Sequence, residues 1–198
     1  MTRLPAVRSS RRLRALLLAA LGLLALTGLS ACGDKPAQRT IADTEGPYID
    51  LGELKYQVQI SRQLNPRDVE DRAYFIGLPP DEAKLAEDET WYAVFMRVEN
   101  DTDEPHPTAL SFEIEDTTGK RFEPLELADD NVFAYRNDGA LKPKELIPAE
   151  NSAAAEGPIG GSLLLFKLTY SALANRPLEM IIKSVQVPQT EAKIDLDV

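Results

Sequence analysis

The feature that most constrains this chain is a hydrophobic period of two. In Lys55 to Ser61, Tyr56, Val58 and Ile60 alternate with Lys55, Gln57, Gln59 and Ser61. In Ala109 to Asp116, Leu110, Phe112 and Ile114 alternate with Ser111, Glu113 and Glu115. Successive side chains of a strand point to opposite faces, so each segment predicts a half-buried strand. Asp116 to Lys120 supplies a turn and Lys120 to Pro124 a return strand. Thr90 to Glu99, Gly161 to Thr169 and Leu178 to Val187 are apolar on both faces and predict strands buried on both sides. Ala73 to Leu78 and Val132 to Arg136 predict shorter strands. Asp81 to Glu89 reads as one or two helical turns or an acidic loop, Tyr170 to Pro177 as a link with a short helical turn, and Glu150 to Gly160 as a small-residue linker. No repeat and no long amphipathic helix occurs. The pattern predicts an all-β fold, a two-sheet antiparallel sandwich with Trp91, Tyr92, Phe95, Phe112, Phe122 and Phe166 in its core.

The first 31 residues differ from the rest. Residues 1–14 are basic, and Ala15 to Leu29 is an uncharged run of 15 residues. That is short of the ~20 needed to span a bilayer and fits a signal-peptide core. Leu29-Ser30-Ala31-Cys32 follows, and it resembles the lipobox of bacterial lipoproteins. The resemblance implies cleavage before Cys32 and a diacylglycerol on its thiol, which anchors the chain to the membrane on the extracytoplasmic face. Ser10-Arg11-Arg12 resembles the start of a twin-arginine signal, but Leu13, Arg14 and Ala15 do not continue it, which favours the general secretory route. The expected organisation is a lipoprotein signal peptide over 1–31, a lipidated Cys with a flexible tether over 32–50, and one β-sandwich domain over 51–198.

Charge and metal-ligand counts exclude several functions. The chain has 22 Lys and Arg against 32 Asp and Glu, a net charge of -10. Five of the arginines and none of the acids lie in 1–31, so residues 32–198 hold 17 basic and 32 acidic side chains, a balance of -15. Such a body is a poor nucleic-acid ligand, since phosphate contacts need clustered cations. One Cys excludes an internal disulfide, a Cys-based zinc site and an iron–sulfur cluster; one His excludes a multi-His metal site.

Trp91 to Leu125 has a layout of strand, Val-Glu-Asn end, polar loop, alternating strand, Thr-Gly-Lys turn and return strand. Gly160 to Phe166 adds a Gly-initiated apolar strand. Together they resemble the immunoglobulin-like domain of unknown function carried by many secreted bacterial lipoproteins, a sandwich similar to that of the immunoprotective extracellular antigens. The resemblance implies an immunoglobulin-like fold and an extracytoplasmic location, and it transfers no catalytic residue. Ala73 to Glu89 departs from it as an insertion and Val185 to Val198 as a C-terminal extension. The Cys-Trp-Cys pattern of antibody domains is absent, so the likeness is one of architecture.

Candidate sites are few. Glu99 to Glu104 holds four carboxylates in six residues. Asn100, Asp101, Asp103 and Glu104 form a candidate Ca²⁺ set, since hard cations take six to eight oxygens, though the spacing is not that of an EF-hand. A solvated hairpin loop is the simpler reading. His106, between Pro105 and Pro107, reads as a surface-loop residue; no Gly-x-Ser-x-Gly elbow accompanies it. With Met96 and Met180 it makes too few soft ligands for copper. Paired carboxylates can serve a glycosidase, but the sequence singles out no pair. The reading is a non-enzymatic binding or interaction domain at the cell envelope, without a cofactor, whose partner is an envelope protein or a small ligand. The alternatives are a Ca²⁺-assisted adhesion or ligand-binding module and an envelope hydrolase.

Overall fold

Residues 37–136 and 139–196 are described in this computed structural model. Their strands are β1 (Ile41–Ala42), β2 (Ile49–Leu51), β3 (Leu54–Leu64), β4 (Glu89–Glu99), β5 (His106–Pro107), β6 (Ser111–Glu115), β7 (Arg121–Phe122), β8 (Ala140–Leu141), β9 (Leu146–Ile147), β10 (Ser162–Thr169), β11 (Leu178–Lys183) and β12 (Glu191–Leu196). One sheet runs β1-β12-β11-β6-β7. The other runs β2-β3-β4-β10, with β9 also on β4, and β5 and β8 pair apart from both. The fold is an all-β sandwich. Every ladder is antiparallel except β1 on β12, which is parallel.

Two cores explain why β4 is buried on both faces. Between the sheets, Tyr92, Val94, Met96 and Val98 of β4 meet Phe112, Ile114, Met180, Ile182 and Ile194 from the facing sheet. On the other face of β4, Trp91, Ala93 and Phe95 pack with Leu163 and Leu165 of β10. That second core is closed by loops rather than by a sheet, through Tyr74, Leu127 and Ala134. Each such large apolar side chain contributes ~1.5–3 kcal/mol when taken from water. Phe122, expected in the core, is only half-buried.

The covering loops replace two expected strands. Ala73 to Leu78 forms no strand: Arg72–Phe75 is a 3-10 turn that sets Tyr74 edge-on to Phe95 at 5.1 Å and Phe75 edge-on to Trp91 at 5.4 Å. Val132 to Arg136 is reduced to one bridge, Ala134 to Leu163. Asn131 clips the loops together. Its amide donates to the Tyr74 carbonyl (3.0 Å) and the Ile76 carbonyl (2.8 Å), and its Oδ1 accepts from the Phe133 and Ala134 amides (2.9 and 3.0 Å). Asp81 to Glu89 contains turns and no helix.

The period-two reading of β3 breaks at one residue. A bulge at Gln59 moves the register from Val58 opposite Met96 to Ile60 opposite Phe95. A one-residue slip turns every later side chain to the other face. Ile60 therefore leaves the face of Tyr56 and Val58 and is 38% exposed. Ser61 takes the inner face instead, with Tyr92 Oη 2.5 Å from its Oγ.

From Gln38 on, the segment expected to be a tether belongs to the folded unit. The chain divides after Ala37, and Gln38–Val198 is one unit. β1 and the first two residues of β2 lie within the supposed tether, and their Ala42 and Ile49 are buried in the inter-sheet core. Their isolated apolar residues carry no visible period, because two- and three-residue strands are too short to show one. Within the segment read as a C-terminal extension, β12 stands between β1 and β11 in the sheet. Leu29, Ser30, Ala31 and Cys32 lie outside the described residues. Among those described, no helix is long and apolar enough to cross a membrane. The expected short helical turn occurs at Tyr170–Ala174, capped by Thr169, and the segment read as a small-residue linker holds another at Ala153–Glu156, capped by Ser152.

Candidate functional site

The acidic loop is tied into the fold by hydrogen bonds and ion pairs. Asn100 is fully buried and works as a structural clip. Its Nδ2 donates to the Glu104, Leu141 and Lys142 carbonyls at 2.8, 2.9 and 3.0 Å, and its Oδ1 accepts from Thr102 N and Oγ1. Asp101 pairs with Lys55 at 2.5 Å, a bond that lowers the carboxyl's pKa, and Asp103 pairs with Lys144 at 3.1 Å. Two of the loop's four carboxylates thus pair with lysines from β3 and a neighbouring loop, and the Asn100 amide is taken up by backbone carbonyls. Among the described residues no three His, Cys, Asp or Glu side chains are gathered to hold a metal ion. His106 is tied to this loop through Nε2, 2.8 Å from Thr102 Oγ1.

Among the described residues, the carboxyls with shifted pKa values are shifted down. Burial works against Asp71 and Asp116, but Arg62 and the Asn65 amide overcome it at the first, and Thr118 and the Lys120 amide at the second. Glu113 is lowered by Lys183 and Arg121, and Glu145 chiefly by the Lys142 amide. A carboxyl serving as general acid near neutrality needs the opposite shift.

The structure brings together a site that no sequence motif marks. Where β6 and β10 diverge at one side of the sandwich, a cleft of 510 Å³ opens. That volume is in the range of small-ligand pockets. Phe112, Leu125, Tyr135 and Leu164 give it an apolar floor and walls; Ser111, Glu123, Glu126 and Arg136 supply polar groups. Leu110 stands at the mouth, 62% exposed. The Arg136 guanidinium is committed to the fold, donating to the Leu127 and Ala128 carbonyls at 2.8 and 2.5 Å. A second cavity of 380 Å³ shares Ala134 and Arg136 with the cleft.

Tyr135 closes the inner end. Its ring meets Phe112 edge-on at 4.9 Å. Its hydroxyl is buried without a hydrogen-bond partner among the described residues. Burial, with the Tyr56 hydroxyl adding to it, pushes the Tyr135 phenol well above its ordinary value. Tyr56, also raised by burial, has a partner: its oxygen accepts from the Ala109 amide at 2.7 Å. Sequence reading missed the cleft because its walls come from four separated segments and only the packing of the sheets joins them. The sole local hint was Pro124, which ends pairing on the β6 edge.

No protein-family model matches the sequence, and no curated protein matches it. Solved structures are similar at low identity, three of them as follows. The yjhA protein of Bacillus subtilis aligns over 78% of this chain and 99% of its own, with 8% identity and a TM-score of 0.45. An uncharacterized β-sandwich protein of Clostridium difficile aligns over 83% and 99%, with 10% identity and a TM-score of 0.44. A conserved hypothetical protein of Bacillus anthracis aligns over 75% and 92%, with 9% identity and a TM-score of 0.43.

Proposed function

We propose that this chain is a lipid-anchored extracytoplasmic lipoprotein whose immunoglobulin-like sandwich is a non-enzymatic binding domain, and that the cleft beside β6 is its binding site. The observation that carries the binding role is the cleft itself: a ligand-sized apolar cavity with polar groups at its rim. The strand order supports the immunoglobulin-like reading. With β3, β4 and β10 taken as strands A, B and E, and β6, β11 and β12 as C, F and G, the sheets run A-B-E and C-F-G.

The anchor rests on Leu29-Ser30-Ala31-Cys32 after a basic start and a 15-residue apolar core. The sole cysteine stands where diacylation requires a thiol. Two acyl chains hold a protein stably at a bilayer. Metabolic labelling with a fatty acid, followed by membrane fractionation, tests the address. The wild-type chain is expected to carry label and sediment with membranes. Cys32→Ser is expected to lose the label and to be left unprocessed or released. A correctly cleaved Cys32→Ser protein that still fractionates with membranes overturns the anchor.

A further inference from the structure

The cleft lies beside an unfilled strand position in the sheet. β7 pairs with β6 only at Ile114–Phe122 and Glu115–Arg121. The chain then leaves that sheet: the Leu125 amide donates to the Leu165 carbonyl of β10, in the opposite sheet, at 2.7 Å. Neighbouring strands sit ~4.8 Å apart and packed sheets ~10 Å apart, so this departure vacates a place beside β6. Ser111, Phe112 and Glu113 pair with β11 on one side. On their other side no strand among the described residues pairs with them. Several other edges are short or already bonded: beyond Tyr56 the outer edge of β3 takes the Gly46 amide on the Val58 carbonyl at 2.9 Å and sets the Ser61 amide on the Glu45 carboxylate at 3.0 Å. β1 and β2 are two and three residues long, and the β10 edge is bonded through Leu163 to Phe133 and Tyr135 at 2.7 and 2.8 Å. A strand edge left open is a template for another chain.

Charge narrows the partner. Glu123 and Glu126 stand exposed on the rim and form no ion pair among the described residues. Leu110, at the mouth, is apolar and exposed. We propose that this edge receives an extended peptide segment of a partner protein, which adds as a strand beside β6, sets an apolar side chain in the cleft and places lysine or arginine against Glu123 and Glu126. The proposal rests on the binding reading above and names the partner's chemistry. Backbone pairing supplies affinity in this mode and alternate side chains supply specificity.

The test uses the full chain in a neutral detergent and a fluorescein-labelled seven-residue peptide alternating lysine and valine. Fluorescence anisotropy is expected to show saturable binding that weakens with salt. Glu123→Lys/Glu126→Lys is expected to weaken it about tenfold, the scale of two exposed ion pairs turned repulsive. Leu110→Asp is expected to weaken it as well, and both variants should melt as the wild type does, because the replaced side chains are exposed. Hydrogen exchange is expected to show amide protection rising within 111–113. A peptide with a central proline is expected not to bind. The proposal is overturned by no binding at millimolar peptide, by equal binding of the proline peptide, or by affinity indifferent to the charge reversal. Saturable binding of dodecyltrimethylammonium to the cleft without any peptide binding overturns the strand-addition proposal and leaves a small-ligand site. Failure of the Cys32→Ser fractionation touches the anchor alone.

Discussion

Tyr135→Phe should make the protein more stable. The substitution removes one buried oxygen that has no hydrogen-bond partner among the described residues and leaves the ring edge-on to Phe112 at 4.9 Å. An unsatisfied buried polar group costs about 1–3 kcal/mol, and removing it restores much of that cost. A gain of about 1 kcal/mol in a domain of this size corresponds to a Tm higher by roughly 2–4 °C. Tyr56→Phe is the control. Tyr56 is also buried, but its hydroxyl oxygen accepts the Ala109 amide at 2.7 Å. Deleting it strands a buried donor and should cost about 1–2 kcal/mol, lowering Tm by roughly 2–8 °C. Thermal melts by circular dichroism at pH 7, with urea midpoints as a second measure, read both. A Tm that falls in Tyr135→Phe, or shifts of the same sign in the two variants, would refute the reasoning, because the Tyr135 hydroxyl must then have a partner in solution.

Other outcomes follow from the same contacts. Asn131→Ala removes four hydrogen bonds that join the loops over the second core, and should cost about 3 kcal/mol, a Tm lower by roughly 6–12 °C; loss of under 1 kcal/mol in a urea titration would show that water replaces the clip. Gly161→Ala brings a Cβ to 3.0 Å from Phe95 Cβ and 3.2 Å from its backbone carbon, so β10 must shift, and the melt should fall by the equivalent of about 1–3 kcal/mol. Acid should destabilise the fold through Asp71. Burial would raise its carboxyl, but Arg62 and the Asn65 amide hold it below the ordinary value. Its contribution is therefore present above the unfolded carboxylate pKa and lost as pH falls through the lowered one. Asp71→Asn should show a shallower fall of Tm below pH 4; an unchanged slope would remove Asp71 from the account. Alkali acts in the opposite sense on Tyr56 and Tyr135, both raised by burial. The unfolded chain ionises near pH 10 while the folded one resists, so stability should drop as pH climbs past 10, and less so in Tyr135→Phe.

The sequence by itself determined the strands whose chemistry is periodic or wholly apolar. β4, β6, β10 and β11 are legible because alternation and apolar runs are properties of neighbouring residues, and the turn at Asp116 because Asp, Thr and Gly act locally. The basic start, the uncharged run from Ala15 to Leu29 and Leu29-Ser30-Ala31-Cys32 are local patterns of the same kind. Tertiary structure alone decided the rest. Ile60 turned outward because a bulge at Gln59 is set by pairing with β4 and not by the residues of β3. Ala73 to Leu78 has strand-like composition, yet its aromatic rings gain more by lying across Phe95 and Trp91 as a cover. β1 and β2 are too short to carry a period, and pairing with β12 and β3 makes them strands. Asn100 reads as a cation ligand until the fold surrounds it with backbone carbonyls. The cleft belongs to no segment: it exists because the chain after Phe122 crosses from one sheet to the other, and a crossing is fixed by which distant strands bury their apolar faces together.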